Sequence, residues 1–225
     1  MDLRFFEIYR NGDYLQLLFE GAALSIGLTV AGGIAGFVFA VLLAASRHFE
    51  VPFLQTLAAA YVDFIRNTPL VVQLFFVAFG LPLLFGYAWP FWAHAALALT
   101  LNFSAYFAEI LRAGFASLPR GQIEAAMALG LRTRMIFQKI MLPQAIAAMY
   151  PSLNSQFIFL FLTTGIIAQI GVTDLTHAGL FIDSRTFRSF EVFITLTVLY
   201  VVIALSFKAL LNRLHHYSFP WVGAR

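Results

Sequence analysis

The residues best suited to do chemistry are concentrated in one polar, basic segment, residues 112–145, of an otherwise apolar chain. The segment contains a single acid, Glu124, and five basic residues: Arg112, Arg120, Arg132, Arg134 and Lys139. Apolar residues on either side of Gly130 recur with helical spacing, and Gly130 suits the left-handed position that ends a helix. Pro143 is expected to close the second helix. This pattern predicts a helix–turn–helix that lies outside the membrane and is bound by another protein.

Composition places the rest of the chain in a membrane. Of the 225 residues, 61% are hydrophobic and 11% are charged, whereas soluble proteins have roughly 25% charged residues. Cysteine is absent, which excludes disulfides, thiolate metal sites and a cysteine nucleophile. No low-complexity linker divides the sequence. Residues 1–225 are therefore predicted to form a single all-α integral membrane domain.

Long stretches without charge predict five transmembrane helices. One such stretch, residues 67–108, is too long for a single span, and the Gly, Pro and aromatic residues of 80–92 divide it into two. The first span contains Gly32 and Gly36, a pair of small residues that could seat a neighbouring helix closely, with ordinary internal packing as the alternative. The five spans are predicted at about residues 21–46, 67–86, 89–111, 144–171 and 192–211, with the basic loop at 112–143.

The distribution of Lys and Arg predicts the orientation of these spans. An odd number of spans places the two termini on opposite sides of the membrane. If the basic loop faces the cytoplasm, nine basic residues lie on that side and four outside, with Arg66 near a membrane boundary. This asymmetry satisfies the positive-inside rule. The N-terminus is therefore predicted outside and the C-terminus inside.

The sequence offers little for catalysis. It has no glycine-rich nucleotide loop with its lysine, no histidine spacing typical of a metal site, and no activated serine or carboxylate dyad. A membrane-embedded enzyme is therefore disfavoured. An ion-gradient-driven secondary transporter is the principal alternative to the interpretation below. Internal repeats and buried carboxylates would indicate that class, and no repeat is visible.

The spacing within the basic segment carries a family resemblance. It resembles the EAA loop of ATP-binding-cassette importer permeases, and the segments 64–75 and 105–126 resemble the polar amino-acid branch of that family. The shared motif runs Glu124-Ala125-Ala126, three residues, Gly130, nine residues, Ile140, one residue, and Leu142-Pro143. The resemblance covers nearly the whole chain and agrees with five spans.

The resemblance implies a transport subunit rather than an enzyme, in the bacterial cytoplasmic (inner) membrane. The EAA loop would form coupling helices against a cytoplasmic ABC ATPase dimer, with Glu124 as a charged anchor, Ala125 and Ala126 allowing close approach, and Gly130 supplying the turn. ATP and Mg would be bound by that ATPase, and this chain would hold no cofactor. An extracytoplasmic solute-binding protein, a second permease subunit and the lipid bilayer are the other expected partners, and nucleic acid is not one. The alternative for the loop is an amphipathic hairpin lying on the bilayer.

Polar residues within the predicted spans are candidates for a solute path. Each has a structural alternative, because Glu109 could pair with Arg112 three residues later, and the amides and hydroxyls could tie helices together. Many relatives carry a Lys-Asp pair where this chain has Leu162 and Thr163, so a charged contact to the solute is not expected there. The candidates are Arg66, Gln73, Asn102, Glu109, Gln156, Thr163 and Thr164.

Overall fold

The computed structural model describes residues 3–221, and this part of the chain is helical, with no strand. Most helices end where a proline, a glycine or a left-handed residue interrupts the backbone. A π-helical turn follows α4 (Phe76–Gly80) and another follows α8 (Phe137–Met141). A 3₁₀ turn, Thr164–Ile170, follows α9. The helices are α1 Phe6–Tyr9, α2 Gly12–His48, α3 Leu54–Arg66, α4 Leu70–Phe75, α5 Leu81–Phe85, α6 Phe91–Ala116, α7 Arg120–Ala128, α8 Thr133–Ile136, α9 Leu142–Thr163, α10 Leu175–Thr186 and α11 Ser189–Ser218.

Three helical runs in the described residues are long and apolar enough to cross a membrane: α2, Thr133–Ile170 and α11. A fourth span results if α3 and the run Leu70–Phe85, which meet at a bend of 108°, are counted together. The bend falls at Pro69, whose ring disfavours helical backbone at the preceding residue. Neither α3 nor this bend was predicted from the sequence. The predicted span at residues 67–86 begins after α3.

Helix α6 forms the centre of the molecule although it is not among these apolar runs. Its interior faces carry polar residues, including His94, Asn102 and Ser104, and all three are buried. Its most extensive contact is with α2. A Cβ on Gly36 would lie 3.2 Å from the carbonyl oxygen of Thr100, and one on Gly32 would lie 3.5 Å from Leu99 Cβ. The predicted close seating of a neighbouring helix is confirmed at Gly36, whereas a Cβ on Gly32 would make an ordinary van der Waals contact.

The prediction that Pro143 closes a helix is wrong. Pro143 lies in the first turn of α9, and the helical run continues through it from Thr133 to Ile170. A proline has no N–H and crowds the preceding turn. The wider π turn Phe137–Met141 stands immediately before it, and such bulges are one of the ways a helix absorbs an irregularity. The basic segment therefore joins the following span without a break.

At the opposite end of the helices, α10 begins at a buried carboxylate, Asp174. Its Oδ1 accepts a hydrogen bond of 2.9 Å from the backbone N–H of His177, while its Oδ2 is buried without a hydrogen-bond partner in the described structure. Gly21 allows the Asp174 carbonyl to approach α2, since a Cβ there would lie 2.7 Å from that oxygen. Burial raises the pKa of Asp174 from 3.8 to about 6, against the opposing effect of the backbone hydrogen bonds.

This burial predicts a pH dependence of stability. Because the pKa of Asp174 is higher in the folded state, the folded protein binds the proton more tightly, and lowering the pH from about 7 to about 4 should stabilise it through this group. Asp174→Asn keeps a cap-forming side chain and should remove that contribution. The measurement is the melting temperature of the purified protein across this pH range. Asp183→Asn, on the same helix, controls for the lost charge, and an unchanged pH profile in Asp174→Asn would refute the assignment.

Candidate functional site

The turn between α7 and α8 has the geometry that the motif spacing predicted. Gly130 has φ +74°, its N–H donates to the Met127 carbonyl at 2.9 Å, and the N–H of Leu131 donates to the Ala126 carbonyl at 3.2 Å. This pair of hydrogen bonds is a Schellman motif, whose left-handed position favours glycine. A Cβ on Gly130 would meet nothing within 4 Å. The backbone conformation, rather than lack of space, therefore selects glycine here.

The loop presents a mixed polar and apolar surface. Glu124 and Ala125 are exposed, and beside them Met127 and Leu129 are 58% and 80% exposed. Ala126, by contrast, is buried in the hydrophobic core of this chain. Of the two alanines expected to allow close approach of a partner, only Ala125 is available for contact. Met127 and Leu129 were not predicted, although apolar side chains in a segment outside the spans were a usable signal.

The last three motif residues lie in the helical run rather than on the loop surface. Ile140 and Leu142 pack against the core, and Pro143 is half-buried. An aromatic cluster packs the start of this helical run against the ends of α2 and α6. The ring of Phe137 lies 5.3 Å from that of Phe49 and 5.5 Å from that of Phe115. The loop is therefore anchored to α2 and α6 from its inner side.

Near the loop end of α6, one carboxylate gathers three guanidinium groups. Glu109 Oε1 accepts a hydrogen bond of 2.9 Å from Arg112 Nε, which confirms the predicted pairing of these residues. Glu109 Oε2 accepts a hydrogen bond of 3.1 Å from Arg47 Nη1 and lies 4.0 Å from Arg66 Nη1. The three arginines come from α2, α3 and α6, so Glu109 ties three helices together. Arg47 was not among the predicted site residues, because only the fold brings it to Glu109.

Three of the candidate path residues meet at a polar pocket with a volume of about 530 Å³. Arg66, Asn102 and Thr163 line it, and the guanidinium of Arg66 lies 5.7 Å from the centre of the Tyr106 ring. No Asp or Glu is among its lining residues in the described structure. The other lining residues, missed from the sequence, are Asn67, Thr68, Pro69, Leu70, Tyr106 and Phe159.

Gln73 does not line this pocket but forms hydrogen bonds with residues on both of its sides. Its Nε2 donates to the carbonyl of Ile65 at 2.8 Å and to Thr68 Oγ1 at 2.6 Å, and its Oε1 accepts from Asn102 Nδ2 at 2.9 Å. These bonds satisfy backbone groups freed by the break at Pro69 and fix that break against α6. Gln73 therefore connects α3, α4 and α6 in this structure.

The structure does not bring the remaining two candidates to the pocket. Thr164 is fully buried and donates to the carbonyl of Phe161 at 2.7 Å. Gln156 is half-buried, and its Nε2 has no hydrogen-bond partner in the described structure. Neither lines the polar pocket. Gln156 lies about two helical turns before Thr163 on the same face of α9, whereas Thr164 is turned from Thr163 by about 100°.

Comparison with known proteins decides the family. A family model described as binding-protein-dependent transport system inner membrane component matches residues 29–218. The chain belongs to this family. Two similar relatives are the L-cystine transport system permease protein TcyL of Bacillus subtilis (strain 168), 33% identical over 90% of this chain and 87% of that protein, and the glutamine transport system permease protein GlnP of Escherichia coli (strain K12), 35% identical over 89% and 92%.

Solved structures agree with this assignment. A crystal structure of an amino acid ABC transporter with histidines contains a chain that is 32% identical, with a TM-score of 0.84 over 96% of this permease and 100% of that chain. The MetNI methionine ABC transporter shares the fold at 20% identity, with a TM-score of 0.79 over 92% and 99%.

Membership of the family settles several expectations. The protein is a multi-pass inner-membrane permease, a transport subunit that is not catalytic and carries no cofactor. As a component of a binding-protein-dependent ABC transporter, it works with an ATPase and a solute-binding protein. The alternatives of an ion-gradient-driven secondary transporter and a membrane-embedded enzyme are thereby set aside. Within residues 3–221, no group of three or more His, Asp or Glu side chains could hold a metal ion.

Proposed function

We propose that this permease conducts a polar amino acid or a close derivative, delivered by its binding protein, through the pocket beside Arg66. The observation that carries the proposal is a polar pocket set among apolar helices, lined by one guanidinium with amide and hydroxyl groups. Relatives more than 30% identical are named for the transport of cystine, glutamine and arginine. A guanidinium suits the carboxylate that all amino acids share.

The proposed path uses the candidate residues unequally. Arg66, Asn102 and Thr163 face the solute, Gln73 positions Asn102, and Glu109 tethers Arg66. Gln156 and Thr164 do not line the pocket and are assigned no solute contact. Leu162 and Thr163 carry no charge, so the contacts from this helix are neutral.

The pocket lies at the surface of the described chain, because Arg66 and Phe159, two of its lining residues, are exposed. A single copy therefore does not enclose a path. A second permease subunit, identical or paralogous, would close it from the open side. This geometry supports an assembly of two permeases on a cytoplasmic ATPase dimer, surrounded by lipid and without a role for nucleic acid.

Residues 1–225 are proposed to form one domain with five membrane crossings: α2, the bent run α3–α5, α6, Thr133–Ile170 and α11. α6 belongs with these because it packs in parallel against α2 along most of its length. The N-terminus then lies outside and the C-terminus inside, with nine basic residues inside and four outside. One of the nine, Arg225, lies outside the described residues.

The chain has no cysteine, so single cysteines test this topology directly. A cysteine replacing Ser117, at the end of α6, should react with a membrane-impermeant maleimide only from the cytoplasmic side. One replacing Ser184, on α10, should react only from the outside. Intact and inverted membrane vesicles provide the two sides. Reaction of both positions from one side would overturn the five-crossing arrangement.

Thr163→Val tests the solute path. The substitution keeps the shape of the side chain but removes the hydroxyl, which lines the pocket and donates to the Leu160 carbonyl. We expect the solute to bind about 1–3 kcal/mol more weakly. ATP-driven uptake in proteoliposomes should then need a higher solute concentration to reach half its maximal rate, while the complex still assembles. Thr197→Val is the matched control, because Thr197 also bonds a carbonyl of its own helix but lies outside the polar pocket. Equal uptake by the two variants would remove Thr163 from the path.

The exposed loop is proposed to couple the permease to the ATPase. Glu124, Ala125 and the apolar pair Met127 and Leu129 form a surface that a complementary cleft could bury. The Gly130 turn fixes the direction of α7, while Ile140, Leu142 and Pro143 connect the loop to the membrane span. Ala126 contributes from within, as a small residue that lets α7 pack on the core.

Two substitutions at one position test the coupling turn. Gly130→Val places a β-branched residue at positive φ, which is strained, whereas Gly130→Asn tolerates that conformation. We expect Gly130→Val to reach the membrane but to lose ATPase co-purification or binding-protein-stimulated hydrolysis, and Gly130→Asn to retain both. Glu124→Ala should weaken ATPase binding by about 1–3 kcal/mol if the partner buries it. Normal coupling in Gly130→Val and Glu124→Ala together would exclude the loop as the coupling element.

A further inference from the structure

An apolar groove of about 410 Å³ runs between the last turns of α2 and the first half of α3. Phe39 and Leu43 of α2 form one wall, and Leu54 and Leu57 of α3 form the other. Leu54 and Leu57 are 49% and 55% exposed, so the groove opens outward from the helices. In an inner-membrane protein, an outward apolar groove beside a span faces acyl chains.

The α2 wall of the groove ends beside a cluster of positive charge, because Ser46 lines the groove and Arg47 is the next residue of α2. Phe39, Leu43 and Arg47 follow one another at intervals of four residues, so they share one face of α2. Arg47 is not itself a lining residue, but it lies one helical turn beyond Leu43, which is. Its guanidinium is held by Glu109, the carboxylate that also pairs with Arg66 and Arg112.

This cluster carries more positive than negative charge. Three arginines share one glutamate, which leaves a net charge of +2 on the group. Asp63 and Glu50 are nearby along the chain, but neither forms an ion pair with these arginines within 4.0 Å in residues 3–221. The side chain of Arg47 is 22% exposed, and one of its N–H groups is used by Glu109. Its other N–H groups form no hydrogen bond within residues 3–221, so they are available to an anion.

We propose that this groove binds an anionic membrane phospholipid, with an acyl chain between α2 and α3 and its phosphate on Arg47. Basic pockets between spans at the membrane surface suit anionic headgroups, and the planar guanidinium matches the geometry of a phosphate. Glu109 acts as a positioning residue that keeps the guanidinium at the groove. A zwitterionic lipid offers the same chain and phosphate, but its own cation is repelled by the cluster.

A second copy of the permease fits this groove less well. The end of the groove near Arg47 is positively charged. The charged residues on the same side of the membrane, including those of the basic segment 112–145, are mostly basic. Another copy would therefore bring few acids to meet Arg47. Charge complementarity favours the lipid.

The test is a titration of the importer, purified with its ATPase, by native mass spectrometry. Phosphatidylglycerol and phosphatidylcholine with the same acyl chains are the two probes. We expect tighter binding of phosphatidylglycerol, a loss of about fivefold in its affinity in Arg47→Gln, and no loss in Arg213→Gln, a basic residue on α11 away from the groove. Leu57→Asn, at an exposed wall position, should weaken the same lipid without unfolding the protein.

Other outcomes would overturn the proposal. Equal affinity for the two lipids, or unchanged phosphatidylglycerol binding in both Arg47→Gln and Leu57→Asn, would refute a specific site. Full displacement by inorganic phosphate would indicate an anion site without an acyl chain. A cysteine replacing Leu57, as the sole thiol of the chain, that cross-links two copies in membranes would assign the groove to a permease–permease contact instead.

Discussion

The close parallel contact between α2 and α6 is the interaction on which the rest of the structure depends. Gly36 brings the two backbones together, with 3.2 Å between its Cβ position and the Thr100 carbonyl. Further along, Arg47 meets Glu109, and the ring of His48 lies 5.4 Å from that of Phe115. The contacts occur in the same order on both helices. A slip of one helical turn, about 5.4 Å, would therefore separate the ion pairs and the aromatic cluster together.

Features with a local cause were predictable from the sequence. The left-handed turn at Gly130 depends on the hydrogen bonds of six consecutive residues, and the pairing of Glu109 with Arg112 depends on helical spacing alone. The seating of α6 on Gly32 and Gly36 follows from the small size of those residues. For the turn and the ion pair the sequence carries the whole physical reason, because no distant partner has to be known. For the glycines it shows that a helix can approach closely, but not which helix does so.

Features that need distant parts of the chain were predicted incompletely. Arg66, Asn102 and Thr163 were candidates, but no spacing shows that these three residues meet at one pocket. Arg47 reached Glu109 only through the packing of α2 on α6. Pro143 was misread for a different reason: its effect depends on the π turn before it, and a π turn has no clear sequence signature. Ala126 was predicted to allow close approach of the ATPase. Its burial inside this chain could not be foreseen, because it depends on how α7 folds back on the core.

Arg66 links the proposed solute pocket to the helix ends, because it lines the pocket and also faces Glu109. Its pair with Glu109 is the longest of the three, at 4.0 Å, whereas Arg47 and Arg112 lie within hydrogen-bonding distance. Two strong pairs hold the carboxylate in place, so Arg66 is the member that is able to exchange partners. A solute carboxylate in the pocket would then compete with Glu109 for one guanidinium. Because Glu109 stays bound to Arg47 and Arg112, that exchange would leave the contact between α2 and α6 intact and change only the position of the α3 end.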